Sequence, residues 1–218
     1  MILAATGLAN AIRVLGAAAK PFWDDKFPED WTKEQIDQLL KSSPWCQPAA
    51  VRFNGGPGGA SGGFAYGGFV QPGDQVQYEG SHSEKSPGVF HALVRWESAK
   101  PLCLAQKRTP DEAANFYMLA LTGDFPDEAR PRPDEAPSAA EGRLDALRSY
   151  TKLERKGDPP IYLDHIESIS GGEMYYFSRL EPIKLSNKEI TFSTKLGPLE
   201  FKTQFPLKDM MYRGKLEL

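Results

Sequence analysis

Residues 192–205 read FSTKLGPLEFKTQF, and their alternation of apolar and polar side chains decides the fold class. Phe201, Thr203 and Phe205 fall on one face, while polar residues fall on the other. This period of two is typical of a strand that buries one face. The Gly-Pro pair at 197–198 has the chemistry of a tight turn. The stretch therefore predicts an antiparallel hairpin.

Strand patterns continue outward from this hairpin, each bounded by turn residues. The predicted strands are residues 49–53, 75–79, 89–96, 115–121, 150–155, 161–169, 174–180, 189–195, 199–205 and 210–216. Residues 89–96 (VFHALVRW) alternate most clearly, with Phe90, Ala92, Val94 and Trp96 on one face, and are expected to form a central strand.

Helical patterns are shorter and fewer, at residues 32–42, 98–107 and 139–148. Thr32 is the predicted N-cap of the first, with Gln35 placed to complete a capping box. Ser98 is the predicted cap of the second, with Pro101 in its first turn. The whole pattern predicts an α+β fold, mainly antiparallel β, in which a curled sheet or sandwich carries an N-terminal helix and one or two short helices.

Two biased segments interrupt this single predicted domain of residues 20–218. Residues 54–73 form a glycine-rich loop and residues 124–137 a loop rich in proline and acidic residues. The carboxylates of the second loop suggest Ca²⁺ ligands, but the EF-hand spacing is absent, so a solvated loop is the simpler interpretation. These carboxylates belong to Asp124, Asp127, Glu128, Asp134 and Glu135.

Composition excludes several classes of function. The 218 residues include 26 Lys and Arg against 29 Asp and Glu, for a net charge of −3. No overall positive field is available to hold a phosphate backbone, so nucleic acid is not a predicted partner. No stretch supplies the roughly 20 uninterrupted apolar residues of a transmembrane helix. The 11% aromatic content is that of a folded domain rather than a disordered chain.

Residues 1–19 (MILAATGLANAIRVLGAAA) allow two interpretations. The small residues at the end resemble a signal-peptide cleavage region, but a basic start is missing and Asn10 and Arg13 interrupt the apolar run. Alternatively, Leu8, Ile12 and Leu15 share one face of an ordinary amphipathic helix. The first interpretation predicts a periplasmic or secreted protein, and the second a cytoplasmic one.

Three blocks of sequence carry a resemblance to a known group. They are WTKE at 31–34 with LL at 39–40 and SPW at 43–45, VRWESA at 94–99 with Pro101, and FSTKLGPLEFKTQFPLKDMMYRGKLEL at 192–218. Together they resemble an uncharacterised family of bacterial, mostly exported proteins that has no established activity. The resemblance implies export and a shared fold, and carries over no catalytic residue. The missing basic start of the chain departs from that pattern.

A hydrolase is one candidate activity. Residues 59–63 read GASGG, which matches the G-x-S-x-G letters of a nucleophile elbow around Ser61, with Asp164 and His165 downstream. An elbow requires a strand before the serine and a helix after it, whereas Ser61 lies in a glycine run. A flexible loop therefore explains the letters more simply.

A metal enzyme is the other candidate activity. The three histidines, His82, His91 and His165, lack the spacing that would present two of them from one helix or strand. Pairs such as His82 with Glu84, or His165 with Asp164 and Glu167, could place a nitrogen near a carboxylate. His91 is expected to be a histidine within a strand. Neither a Walker loop nor a dinucleotide fingerprint is present, so no cofactor and no metal are predicted.

Cys46 and Cys103 are the two cysteines, and they belong to no redox or zinc motif. Their spacing leaves a disulfide in an exported protein and two buried free thiols as alternatives. The strand-rich pattern suggests instead an edge that adds a strand from a partner peptide. The sequence thus favours a non-enzymatic exported binding or structural module of the bacterial envelope, with the serine or metal enzyme as the alternative.

Overall fold

The computed structural model of the chain describes residues 20–53, 91–108, 111–123 and 137–218. Its helices are α1 (Phe22–Asp25), α2 (Lys33–Lys41), α3 (Lys100–Ala105) and α4 (Pro137–Tyr150), with 3-10 turns at Pro28–Asp30, Asp111–Ala114 and Leu185–Asn187. Its strands are β1 (Cys46–Pro48), β2 (Ala50–Phe53), β3 (Ala92–Trp96), β4 (Phe116–Gly123), β5 (Lys152–Arg155), β6 (Asp158–Ile169), β7 (Gly172–Ser178), β8 (Glu189–Leu196), β9 (Leu199–Pro206), β10 (Met211–Tyr212) and β11 (Lys215–Leu216).

Nine of the described strands form one sheet, in the order β1-β3-β4-β7-β6-β5-β8-β9-β2. Every neighbouring pair in it is antiparallel. β10 and β11 form a separate hairpin. The predicted α+β fold, mainly antiparallel β, is therefore confirmed.

The sheet is curled and nearly closed because its two ends are consecutive in the chain. β1 is the first strand in the order and β2 the last, yet only Ala49 separates them. One residue spans less than about 4 Å, so the two edges of the sheet must meet there. On the β1 side of Ala49, β1 and β9 face each other. We call the line between these two strands the seam.

The interior of the curled sheet is filled by the apolar face that the sequence predicts. Phe192, Phe201 and Phe205 are fully buried, from β8 and β9. The hydroxyls of Thr151 and Thr194, also buried, lie 2.6 Å apart and hydrogen-bond to each other. An apolar interior that combines aliphatic side chains with several large aromatic ones is a stable core for a domain of this size.

The capping box predicted at the start of α2 is present. The Thr32 hydroxyl accepts a hydrogen bond from the Gln35 backbone N–H at 3.3 Å, and the Gln35 side-chain oxygen accepts one from the Thr32 N–H at 3.1 Å. Two of the backbone donors at the helix start are thereby satisfied. The box fixes where α2 begins and hence where its far end meets β1.

Two local predictions were wrong. Ser98 does not cap α3, whose N-cap is Ala99; the Ser98 hydroxyl instead accepts a hydrogen bond from the Met118 N–H at 3.0 Å. The strand predicted at residues 210–216 is broken by Arg213 and Gly214, which both have positive φ. Two successive positive φ values are typical of a tight hairpin turn, so the segment folds back on itself.

Other predictions lie outside the described residues. They are the alternatives for residues 1–19, the strand at 75–79, the loop at 54–73 and all of the loop at 124–137 except its last residue.

Candidate functional site

The seam arises because pairing along the sheet edge stops at two prolines. The N–H of Ala49 donates to the carbonyl of Ala92 on β3 at 2.9 Å. Alternate residues of an antiparallel strand direct their backbone groups to opposite sides, so those of Cys46 and Pro48 point away from β3, toward β9.

The partner edge on β9 cannot complete the ladder. β2 pairs with β9 only up to Ala50, opposite Lys202, and an unbroken register would place Pro48 opposite Gln204, two residues further along. Two residues beyond that pair, Pro206 would face Cys46. Proline has no N–H, so neither position can exchange the two hydrogen bonds of an antiparallel pair. β1 is thus free to follow β3, and the two edges diverge.

A cleft of about 950 Å³ opens where the edges diverge, and we call it the seam cleft. Its walls come from the end of α2, the turn that follows, β1, β8 and β9. This volume lies within the range of about 300–1,000 Å³ that is typical of ligand sites in proteins. The lining residues that matter below are Ser43, Pro44, Pro48, Glu189, Thr203 and Gln204.

Two buried hydroxyls in the lining lack hydrogen-bond partners. Ser43 is 5% exposed and Thr203 is 3% exposed, and neither hydroxyl oxygen has a partner within the part of the chain described. Leaving a buried polar group unsatisfied costs about 1–3 kcal/mol. Both oxygens have almost no solvent-accessible surface, so a ligand in the cleft reaches them only if the surrounding side chains move.

The backbone of the seam cleft offers both acceptors and a donor. Pro44, Pro48 and Pro206 have no N–H. The N–H of Cys46 is already used, because it donates to the Ser43 carbonyl at 2.9 Å. The alternation of backbone groups places the Cys46 and Pro48 carbonyls, and both the N–H and the carbonyl of Gln204, on the seam. The site therefore suits a segment that both donates and accepts hydrogen bonds, as an extended backbone does.

Charged side chains of both signs surround the cleft. Glu189, which is half-buried, and Asp209 supply the carboxylates, while Lys41 and Lys202 supply the cations. Both lysines and Asp209 are exposed to solvent. Because exposed charges are screened by water and salt, Glu189 has the strongest effect on a ligand.

Comparison with protein families, with curated proteins and with solved structures gives no match. The geometry alone therefore carries the functional argument. Within the described residues, no helix has the length and apolar character needed to cross a membrane.

Cys46 lines the cleft, but its thiol is not a nucleophile at neutral pH. The thiol donates to the Leu40 carbonyl at 3.0 Å. Burial raises its pKa to about 12, although the positive charge of Arg95 opposes the shift. Only the thiolate attacks electrophiles, so this group is inert near pH 7.

Cys103 is likewise a free, buried thiol. It donates to the Glu97 carbonyl at 3.2 Å, and burial raises its pKa as well. Of the two alternatives that the sequence leaves open, the structure has two buried free thiols.

The buried carboxylate of Glu97 holds the end of β3 against α3. Glu97 is 1% exposed, and its two oxygens accept from Arg95 Nε at 2.7 Å, from Gln106 Nε2 at 2.8 Å and from the Arg108 guanidinium. A buried charge with this many partners is fully compensated and is part of the structure. Apart from the charge of the residues themselves, no feature of the sequence indicates this cluster.

His165 lies on the outer face of the sheet, away from the seam cleft. Its Nδ1 is 2.8 Å from Asp164 Oδ2, as the sequence suggests, and its ring stacks on Tyr176 with centroids 4.0 Å apart. Glu167 accepts a hydrogen bond from the Tyr176 hydroxyl at 2.6 Å. No group of three or more potential metal ligands occurs among the residues described.

The remaining predicted site residues divide into two sets. His91 is exposed and precedes β3, so the prediction that it lies within a strand was wrong. Ser61, His82, Glu84 and the five carboxylates at 124–135 lie outside the described residues.

Sequence reasoning missed the seam cleft. Its signals were Pro48 and Pro206, since proline inside or beside a strand marks an edge or an interruption. The alternating pattern places Thr203 on the buried face of its strand, between two phenylalanines, where a hydroxyl is unusual. Neither signal identifies a cleft until the strand order is known.

Proposed function

We propose that this protein is a non-enzymatic, exported binding module of the bacterial envelope, and that it holds an extended segment of a partner peptide in the seam cleft. The observation that carries the binding part is the cleft itself, which opens where the pairing of β2 with β9 stops and β1 follows β3. Export is proposed from the resemblance of the sequence blocks and from the small residues that end residues 1–19.

An extended peptide is the ligand shape that the seam favours. The cleft lies between two strand edges whose own pairing has stopped, and a third extended segment can use the backbone groups left there. The Gln204 carbonyl faces the seam without the donor that a residue other than proline would supply at position 48. Side chains of the peptide would then lie against the largely aliphatic lining, including Leu93 and Ala50.

Binding is tested on an array of random octapeptides probed with the purified, fluorescently labelled protein. Ala50→Phe fills the closed end of the cleft, while Ser193→Phe places the same ring on the half-buried outer part of β8, outside the cleft. We expect the first variant to lose most of the bound signal and the second to retain it. Equal binding by both variants, or no binding by the wild type, would contradict the proposal.

The same array separates binding from catalysis. We expect recovered peptides to be intact after long incubation. Cleavage of the peptides that disappears in a Ser61→Ala variant would overturn the binding module in favour of a hydrolase.

Export is tested separately, by fractionating the natural host and determining the intact mass and N-terminal residue of the protein. The proposal expects a chain that begins near Lys20 in a compartment outside the cytoplasm. A chain that retains residues 1–19 in the cytoplasm would overturn export and leave the binding proposal standing.

A further inference from the structure

We infer that the seam cleft receives its peptide as an inserted strand, which donates three consecutive backbone N–H groups alternately to the two edges of the seam. This inference rests on the proposed function, and adds the class of peptide that binds: segments of varied sequence that contain three successive residues other than proline. It differs from pairing with one edge alone, which uses only every second residue of a peptide.

The β9 edge of the seam offers one donor and one acceptor. Leu207, just beyond β9, donates from its N–H to the Lys188 carbonyl at 2.9 Å, so the odd-numbered residues of β9 direct their backbone groups toward β8. Those of Gln204 therefore point into the seam. β2 stops pairing at Ala50, opposite Lys202, and within the described residues neither group of Gln204 has a backbone partner.

The β1 edge of the seam offers acceptors only. The Trp45 carbonyl and the Ala49 N–H both bond to β3, at 2.8 and 2.9 Å, so the alternate residues Cys46 and Pro48 direct their carbonyls into the seam. The Cys46 N–H already donates to the Ser43 carbonyl, and proline has no N–H. Together with the pair from β9, these positions present three carbonyls and one N–H to a peptide.

These groups can be used together only by consecutive residues of a peptide. β1 continues into β2 through one residue, and β2 is antiparallel to β9, so an inserted strand is parallel to one edge and antiparallel to the other. Backbone groups of successive residues in an extended chain point to opposite sides. One peptide residue therefore donates to the Gln204 carbonyl, and the residues before and after it donate to the Cys46 and Pro48 carbonyls. This result is the same for both directions of the peptide.

The shape of the seam sets where the strand enters. A strand between two others needs about 9–10 Å between them, twice the usual spacing. The two edges diverge from the Ala49 junction and enclose a cleft of about 950 Å³. The peptide therefore enters from the open end, near Pro206, and widens the seam only where the pairing of β2 with β9 has already stopped.

Side chains around the cleft do not restrict the peptide to one sequence. Lys41 and Lys202 carry positive charge, whereas Glu189 and Asp209 carry negative charge, so neither acidic nor basic peptides are favoured. Recognition then depends on the backbone. Proline is the residue that such a site excludes from the run of three, because it lacks the N–H.

The first test compares two sets of random octapeptides on the array, each peptide containing two prolines. Prolines at positions 1 and 8 leave a run of six residues with N–H groups, whereas prolines at positions 3 and 6 leave no run longer than two. We expect the labelled wild-type protein to bind the first set at least about fivefold more tightly, the factor that corresponds to one ordinary hydrogen bond. Equal binding of the two sets would overturn the inference.

A scan of the octapeptide that binds most tightly distinguishes two edges from one. Each residue in turn is N-methylated, which removes one donor, and each amide is separately replaced by an ester, which removes the donor without adding a methyl group. We expect three consecutive positions to weaken binding at least about fivefold in both scans. Sensitivity at alternate positions only would mean that the peptide pairs with one edge, and would contradict insertion.

Two variants of one residue test the protein side of the pairing. Gln204→Pro removes the N–H that faces the seam and leaves the ladder with β8 intact, whereas Gln204→Ala keeps that N–H and removes only the exposed side chain. We expect the first variant to bind the octapeptides severalfold more weakly than the second, which should match the wild type. Thermal melting followed by circular dichroism checks that both are folded. Equal binding by two folded variants would contradict the role of this N–H.

Failure of the inference and failure of the proposed function have different signatures. Octapeptides that bind at the seam cleft but tolerate proline or N-methylation within every run of three would overturn the inserted strand and leave a peptide-binding module. If no octapeptide binds, the proposed function fails, and the inference fails with it.

Discussion

At the scale of single residues, two buried threonines of the curled sheet differ in whether their hydroxyl has a hydrogen-bond partner. The Thr194 hydroxyl is hydrogen-bonded to Thr151, whereas the Thr203 hydroxyl has no partner in the described part of the chain. We expect Thr194→Val to lower the free energy of unfolding by about 1–3 kcal/mol, because it leaves the buried Thr151 hydroxyl without a partner. We expect Thr203→Val to leave the free energy of unfolding unchanged or to raise it. Urea denaturation of both variants measures the difference.

The comparison tests whether the Thr203 hydroxyl has a partner, because both substitutions keep the size of the side chain. A substantial loss of stability in Thr203→Val would mean that its hydroxyl is satisfied in solution by water or by another part of the chain.

Cys46 makes a second residue-scale prediction, which concerns pH. Burial raises the pKa of its thiol to about 12, so the thiol stays neutral in the folded protein while the unfolded chain ionises near pH 8.5. The unfolded state then binds fewer protons than the folded state, and stability must fall as the pH rises from about 8.5 toward 12. In Cys46→Ala this fall should be smaller, as measured by urea denaturation at pH 7 and pH 10; an identical fall in both proteins would contradict it.

At the scale of elements, Pro48 keeps the seam open. Pro48→Ala restores an N–H opposite Gln204, so one further antiparallel pair can form between β1 and β9. We expect this variant to lose peptide binding at the seam cleft without losing stability, since a gained hydrogen bond of about 1 kcal/mol offsets the lost stiffness of proline. Amide hydrogen exchange should show new protection at Gln204.

Pro182→Ala is the matched control, because this exposed residue lies outside the described strands and does not line the cleft. It should retain peptide binding and leave the exchange of Gln204 unchanged. Retained binding in Pro48→Ala together with new protection at Gln204 would show that the cleft does not depend on the unpaired edge.

The whole molecule shows why a sequence predicts a sheet more readily than a site. The alternation of apolar and polar side chains in residues 192–205 involves only neighbours along the chain, so it can be recognised in the sequence. The structure confirms it. The sequence predicts one strand at 49–53 and none at 46–48, whereas the structure has β1 and β2 on either side of Ala49. This division depends on two strands that are remote in sequence, because β1 pairs with β3 and β2 pairs with β9. Pairing with remote strands has no local signature, and the cleft follows from that pairing rather than from any motif.

The single-residue link at Ala49 should therefore govern the stability of the whole curled sheet. A Gly-Gly insertion after Ala49 lets the two edges separate and puts at risk the hydrogen bond from Ala49 to Ala92. The same insertion after Ser170 lengthens the turn between β6 and β7 and likewise puts one backbone hydrogen bond at risk, from the Gly123 N–H to the Gly171 carbonyl, but separates no sheet edges. We expect the first insertion to lower the melting temperature by at least about 2–4 °C, the shift for 1 kcal/mol in a domain of this size, and the second to lower it less. Calorimetry measures both, and an equal effect of the two insertions would mean that the edges are held together across the seam and not by the link.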